Sequence, residues 1–95
     1  MNPEISSVKI FPYKIDKGDY SIVAYADITL GDAVLLRGIT IIKTKHEGFF
    51  LHFPSKVISN ELFEFIKIND PEYSKYMRRI VLDEYKKIAG EENGA

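Results

Sequence analysis

The residues able to do chemistry in this 95-residue chain are few and scattered. Its two histidines, His46 and His52, stand six positions apart across a turn and a strand, not at the i, i+4 helical spacing of a zinc-binding pair. Without carboxylates placed to converge on them they predict no metal, and nothing else in the chain calls for a cofactor. Ser55-Lys56 follows Pro54. A serine nucleophile needs a base within hydrogen-bond reach and an oxyanion hole, so Pro-Ser at a strand end is read as turn chemistry. The absence of cysteine excludes a disulfide framework, a thiolate metal site and thiol catalysis. The six glycines are dispersed and form no phosphate-binding loop. The expectation is a protein that binds, not an enzyme.

What it would bind depends on where its cations fall. The C-terminal segment carries Lys75, Arg78, Arg79, Lys86 and Lys87 against Glu72, Asp83 and Glu84, a surplus of two positive charges. Lys43, Lys45, His46, Lys56 and Lys67 add charge at strand ends and loops. Pairing with neighbouring carboxylates would explain such a helix face at ~0.3–0.5 kcal/mol per pair. The doublets Arg78-Arg79 and Lys86-Lys87 keep a nucleic-acid surface open as a reading, because arginine grips phosphate in a fork that lysine lacks.

The stretch Gly48-Phe49-Phe50-Leu51-His52-Phe53 is apolar on both faces of a strand. Phe49, Leu51 and Phe53 point one way, and Phe50 and His52 the other. Phe50 suits the open face of a sheet, a subunit interface or a stacked base. Phe50 and His52 are the candidates for a dimer interface.

These residues need a scaffold, and the periodicity supplies one. Ile5–Tyr13 alternates loosely, and Lys14–Asp19 has turn chemistry. Over Tyr20–Leu30, the residues Tyr20, Ile22, Ala24, Ala26, Ile28 and Leu30 share one face. The two alanines leave room for a helix to cross. Gly31-Asp32 predicts a tight turn, and the β-branched run Ala33–Lys43 a central strand whose Gly38 marks a bulge. After Lys56 the pattern loosens, and Leu62–Ile68 reads as a brief fifth strand or an irregular arm. Asn69-Asp70-Pro71-Glu72 is a helix start with cap, first-position proline and acidic first turn. Tyr73, Tyr76, Met77, Ile80, Val81, Glu84 and Ile88 then recur at helical spacing, Glu84 being the one break and Tyr85 beside it widening the stripe, to about Ile88 or Ala89, with Gly90 as the stop. The fold class is α+β: an antiparallel sheet of four to five strands, a hairpin meander, packed against a C-terminal helix. Residues 1–90 read as one domain and 91–95 as a polar tail.

Composition sets the outer bounds. A 45% apolar fraction with 28% charged residues describes a soluble globular domain, small enough that a partner subunit would help it. The formal net charge of −1 gives no global pull toward nucleic acid, so placement matters more than total. No signal-like start and no membrane-length apolar run is present, so no membrane association is expected, and the lack of cysteine fits reducing cytoplasm.

The ordered pieces Ile5-Ser6-Ser7-Val8, Ala24-Tyr25-Ala26-Asp27-Ile28-Thr29-Leu30, Ile39-Thr40-Ile41-Ile42, Gly48-Phe49-Phe50, Phe53-Pro54-Ser55-Lys56 and Ile80-Val81-Leu82-Asp83-Glu84-Tyr85 resemble the stage V sporulation protein G family of bacteria, SpoVG. The match runs in register from about Ile5 to Ile88. The resemblance implies a cytoplasmic homodimer that binds DNA and RNA and acts as a regulator tied to sporulation and septum formation. It also implies an antiparallel sheet with a C-terminal helical part. The chain departs from the family pattern after Lys56, where Val57 replaces a basic residue and Ser59-Asn60-Glu61 lacks the glycine of the usual turn. The expected phosphate contacts are Lys56, Arg78 and Arg79, helped by Lys75 and Lys43. The alternative is a protein-interaction module, bound to a regulatory or division protein, using Phe50 and a sheet edge.

Overall fold

The computed structural model describes residues 2–46 and 48–94, with side chains through residue 90. Three long strands, β1 (Ile5–Asp16), β2 (Tyr20–Leu30) and β3 (Val34–Thr44), and the short β4 (Phe49–His52) form one antiparallel sheet in the order β1-β2-β3-β4. A second, two-stranded sheet pairs β5 (Ser55–Ile58) with β6 (Glu61–Glu64), and one helix, α1 (Pro71–Gly94), follows. The result is the expected α+β meander packed on a C-terminal helix. The main sheet stops at four strands.

Turn chemistry sets the meander. Gly31 (φ 57°) and Asp32 (φ 56°) both lie in the left-handed region and Ala33 N–H donates to Leu30 C=O at 3.0 Å, a type I′ hairpin turn. At Gly38 (φ 75°) the pairing slips from Ala26↔Ile39 to Ile28↔Leu36, so Arg37 and Gly38 together oppose Asp27. This is the bulge that an interior glycine predicts. It sets Arg37 Nε 3.5 Å from Asp27 Oδ2.

A second bulge revises the face assignment of β2. Ala24 pairs with Ile41 but Ile22 pairs with Ile42, which leaves Val23 as the extra residue. Cross-strand partners share a face. Ile22 and, beyond it, Tyr20 therefore leave the face of Ala24 and Ala26, and Val23 packs against the core instead. Strict alternation from Tyr20 to Leu30 holds only from Ala24 onward.

The core is Ala24, Ala26, Ile28, Ile39 and Ile41 from the sheet and Met77 and Val81 from the helix, all 0% exposed, together with Tyr73 at 8%. The alanines admit the helix as their size predicts. Its start is capped: Asp70 Oδ1 accepts from Glu72 N–H at 3.0 Å, and Asp70 Oδ2 accepts from Asn2 Nδ2 at 2.9 Å. Tyr73 Oη donates to Pro3 C=O at 2.7 Å and ties the first residues to the same turn. Glu84, the one acidic residue in the apolar stripe, is half-buried and meets Lys87 Nζ at 3.6 Å.

The helix does not stop at Gly90. It continues to Gly94, because Gly90 does not take up the left-handed conformation that ends a helix and two glutamates, good helix formers, follow it. Residues 91–94 thus extend the helix, and Ala95 lies outside the described residues.

The segment after Pro54 is a hairpin of its own. Ser59 (φ 51°) and Asn60 (φ 65°) make another type I′ turn without any glycine, and Phe65 N–H donates to Pro54 C=O at 3.0 Å to close the base. Every residue from Lys56 to Phe65 is exposed, including Val57, Leu62, Phe63 and Phe65.

Candidate nucleic-acid interface

Lys43 lies near the end of β3 beside Phe49, its cross-strand partner on β4. Lys86 reaches the same ring from the helix. Lys43 Nζ and Lys86 Nζ each stand 5.8 Å from the Phe49 ring centroid, within cation–π range, and Tyr85 packs on that ring at 6.0 Å. Two ammonium groups far apart in sequence therefore converge on one aromatic platform. Neither is paired to a carboxylate within 4 Å among the described residues.

Beside this platform, the β1–β2 loop, the end of β3 and the last turns of α1 enclose a groove of about 680 Å³. Its walls include Tyr13, Tyr20 and Tyr85, and Lys14, Lys43 and Lys45 contribute the charge. Lys45 Nζ is 4.0 Å from Asp19 Oδ1, both side chains well exposed, a pairing that solvent screens.

The other expected cations are dispersed. At ~100° per residue, Lys75, Arg79 and Lys86 fall within about 40° of one another along the outer side of α1, and Arg78 is turned away from that stripe. Lys75 meets Glu72 at 3.7 Å, and the Arg79 guanidinium lies 5.8 Å from the Tyr76 ring centroid. Lys56 sits apart on the β5–β6 ribbon, opposite Phe63. Lys43, Lys75 and Arg79 thus lie with Lys86 on or beside the helix, while Lys56 belongs to a different part of the molecule. Lys86, Lys14 and the platform ring Phe49 are the members that spacing alone does not bring together. The Lys86-Lys87 doublet was the available signal.

Phe50 and His52 project from the opposite face of the sheet, both exposed. Tyr25, the partner of Phe11, pairs with Thr40, which in turn pairs with His52, so one row crosses all four strands of that uncovered face. His52 Nε2 is 3.5 Å from Ser55 Oγ, a long contact in an exposed position. Among the described residues no group of three or more His, Asp or Glu could hold a metal ion, and no helix is long and apolar enough to cross a membrane.

Two groups among the described residues carry shifted titrations, both at the helix start. The hydrogen bond from Asn2 and then the Glu72 amide lower the pKa of Asp70. Burial, then the nearby Tyr76, raises that of Tyr73. They mark the cap and not the basic groove.

Comparison with known proteins agrees with this architecture. The SpoVG family model matches residues 3–87. A protein of Treponema denticola named "Putative septation protein SpoVG" is 32% identical over 87 residues, covering 88% of this chain and 87% of its own length. A match over nearly the whole sheet and helix, with the Pro54-Ser55-Lys56 junction inside it, places this chain in the SpoVG family.

Proposed function

We propose that the protein is a homodimeric nucleic-acid-binding regulator of the septation or gene-regulatory kind, binding DNA or RNA through phosphate contacts. The observation that carries this reading is the pair Lys43 and Lys86 flanking Phe49 beside a lysine-bearing groove, two ammonium groups on one aromatic face with no carboxylate within 4 Å of either among the described residues. Arg78, Arg79 and Lys75 extend the phosphate contacts along the helix, and Lys56 adds one from the ribbon. Two-fold symmetry doubles a modest patch. The dimer covers the exposed sheet face of Phe50 and His52. Family membership supports the septation role, as does the name of the Treponema denticola relative.

Anisotropy titrations at several salt concentrations test it. About four cations per protomer give roughly eight phosphate contacts, so log K should fall against log salt with a slope near −7. Reversing Arg78 and Arg79 to Glu should weaken binding to all sequences alike. A flat salt dependence, or no binding of any strand or duplex at low salt, would sink the proposal.

The second reading is a protein-interaction module, favoured by the ribbon: Val57 and Leu62 are 66% and 63% exposed on a two-stranded hairpin, an element marginal in water without cover. It predicts co-purification with a protein partner after nuclease treatment, undisturbed by the Arg78 and Arg79 reversals.

A further inference from the structure

A sheet edge invites another strand unless something blunts it, and among the described residues every edge but one is blunted. In the main sheet β1 carries Lys9, Pro12 and Lys14, and β4 is only four residues long and runs into Pro54. In the ribbon β5 follows Pro54 and bears Lys56. β6 has neither lysine nor proline, and no strand among the described residues pairs with its outer side. The type I′ turn makes Ile58 and Glu61 a hydrogen-bonded pair, and such pairs alternate along an antiparallel ladder, so Lys56–Phe63 and Pro54–Phe65 are the next two. The bond from Phe65 N–H to Pro54 C=O fits that phase. Leu62 and Glu64 therefore turn their N–H and C=O groups outward.

The side chains define what fits there. Glu61 and Glu64 flank Leu62 and Phe63, all four exposed, and neither carboxylate meets a cation within 4 Å among the described residues. Paired two-fold along its whole length with a second copy, β6 would set Glu64 opposite Leu62 and Glu61 opposite Phe65, which gives neither carboxylate a cation. An incoming strand with a basic residue at each end of an apolar pair satisfies both. We propose that β6 takes, by antiparallel strand addition, an extended segment of another protein with the pattern basic, apolar, apolar, basic. A third strand gives the ribbon the size that two-stranded hairpins lack, and main-chain bonds to Leu62 and Glu64 supply the affinity. The inference rests on the protein-interaction reading above and names the partner's chemistry. It makes no use of the groove lysines, so it stands whether or not they hold nucleic acid.

The experiment titrates a fluorescein-labelled peptide of core Lys-Val-Ile-Lys with the full chain, read by anisotropy, and follows amide exchange by NMR. Binding should saturate and should slow exchange at Leu62 and Glu64, the two outward amides. In this register the first Lys and the Ile of the peptide direct their amides at β6, and the Val amide points away. N-methylation of the Ile amide should therefore weaken binding about tenfold, while N-methylation of the Val amide should be tolerated. A Glu-Val-Ile-Glu core should bind on the order of fivefold more weakly, and Glu61→Lys/Glu64→Lys should reverse that preference. No saturable binding at millimolar peptide, or equal loss from the two N-methyl peptides, would overturn strand addition. A charge preference that ignores Glu61→Lys/Glu64→Lys would overturn the basic partner. Exchange at Leu62 and Glu64 that slows with protein concentration in the absence of peptide would overturn the proposal in favour of a second copy. A protein that co-purifies through Phe50 after any of these failures would leave the wider interaction reading standing.

Discussion

The four-stranded sheet and the β5–β6 ribbon are built from the same kinds of residues and have opposite fates. Ile28, Ile39 and Ile41 in the sheet are sealed under Met77 and Val81, whereas Val57, Ile58, Leu62 and Phe63 in the ribbon face solvent. Both regions use left-handed turns and antiparallel pairing. What separates them is a second layer: the helix crosses the sheet where Ala24 and Ala26 make room, and among the described residues nothing of comparable size covers the ribbon. Strand-forming residues thus define an element, but only a facing layer converts their apolar area into stability.

The largest expected effects fall in the sealed region. Met77→Ala should destabilise by about 2–5 kcal/mol, the range for emptying a packed core position, and Val57→Ala in the ribbon should stay within about 0.5 kcal/mol for the isolated chain. Chemical denaturation of the two variants measures the contrast. A costly Val57→Ala in a monomeric sample would show that the ribbon is already covered.

A middle-sized test concerns the ribbon as an interface. Leu62→Asp with Phe63→Asp should leave both the melting of the monomer fold and any dimer seen by sizing nearly unchanged, whereas Phe50→Asp should dissociate that dimer. If Phe50→Asp alone dissociates the dimer and the ribbon pair does not, the uncovered sheet face is the interface.

Smaller effects belong to the helix start. Tyr73→Phe removes the hydrogen bond to Pro3 and should cost about 0.5–1.5 kcal/mol. Because burial raises the Tyr73 pKa above its ordinary 10.0, its contribution is whole below about pH 10 and lost as pH climbs through the folded value. The variant should therefore lose less stability in strong alkali. Asp70 titrates the other way. Its lowered pKa makes its contribution complete above the ordinary carboxylate range and lost as pH falls through the folded value. Asp70→Asn, which still caps, should flatten that acid limb.

The contrast also explains what the sequence could disclose. Gly31-Asp32, Gly38, the Ala24/Ala26 pair and Asn69-Asp70-Pro71 act through local backbone geometry or side-chain size, so their roles were legible in order. Ser59-Asn60 hid its hairpin because both residues adopt positive φ without the glycine that usually signals it. The Val23 bulge was invisible because slipping one residue leaves composition unchanged while moving Ile22 to the other face. Gly90 looked like a stop because its conformation is set by the chain beyond it. Of the site, Arg78, Arg79 and Lys75 could be placed on a helix, and Lys43 at a strand end. That Lys43 and Lys86 share the Phe49 ring depends on how the helix lies across the sheet. Lys56 was grouped with them as the cation just past Pro54 in the family-like Phe-Pro-Ser-Lys piece, and the ribbon carries it away from the helix.

The clasp formed by Asn2 with Asp70 and Tyr73 with Pro3 joins residues 68 and 70 positions apart. Such contacts close a loop that spans most of the chain, and loop-closure entropy must be met before they return anything. The hairpins, by contrast, can zip from their own turns. Docking of the helix start onto the first strand should therefore be a late folding event, and Tyr73→Phe should accelerate unfolding more than it slows folding. The first residues and the helix start would act as a kinetic latch, shut last and governing how long the native state persists.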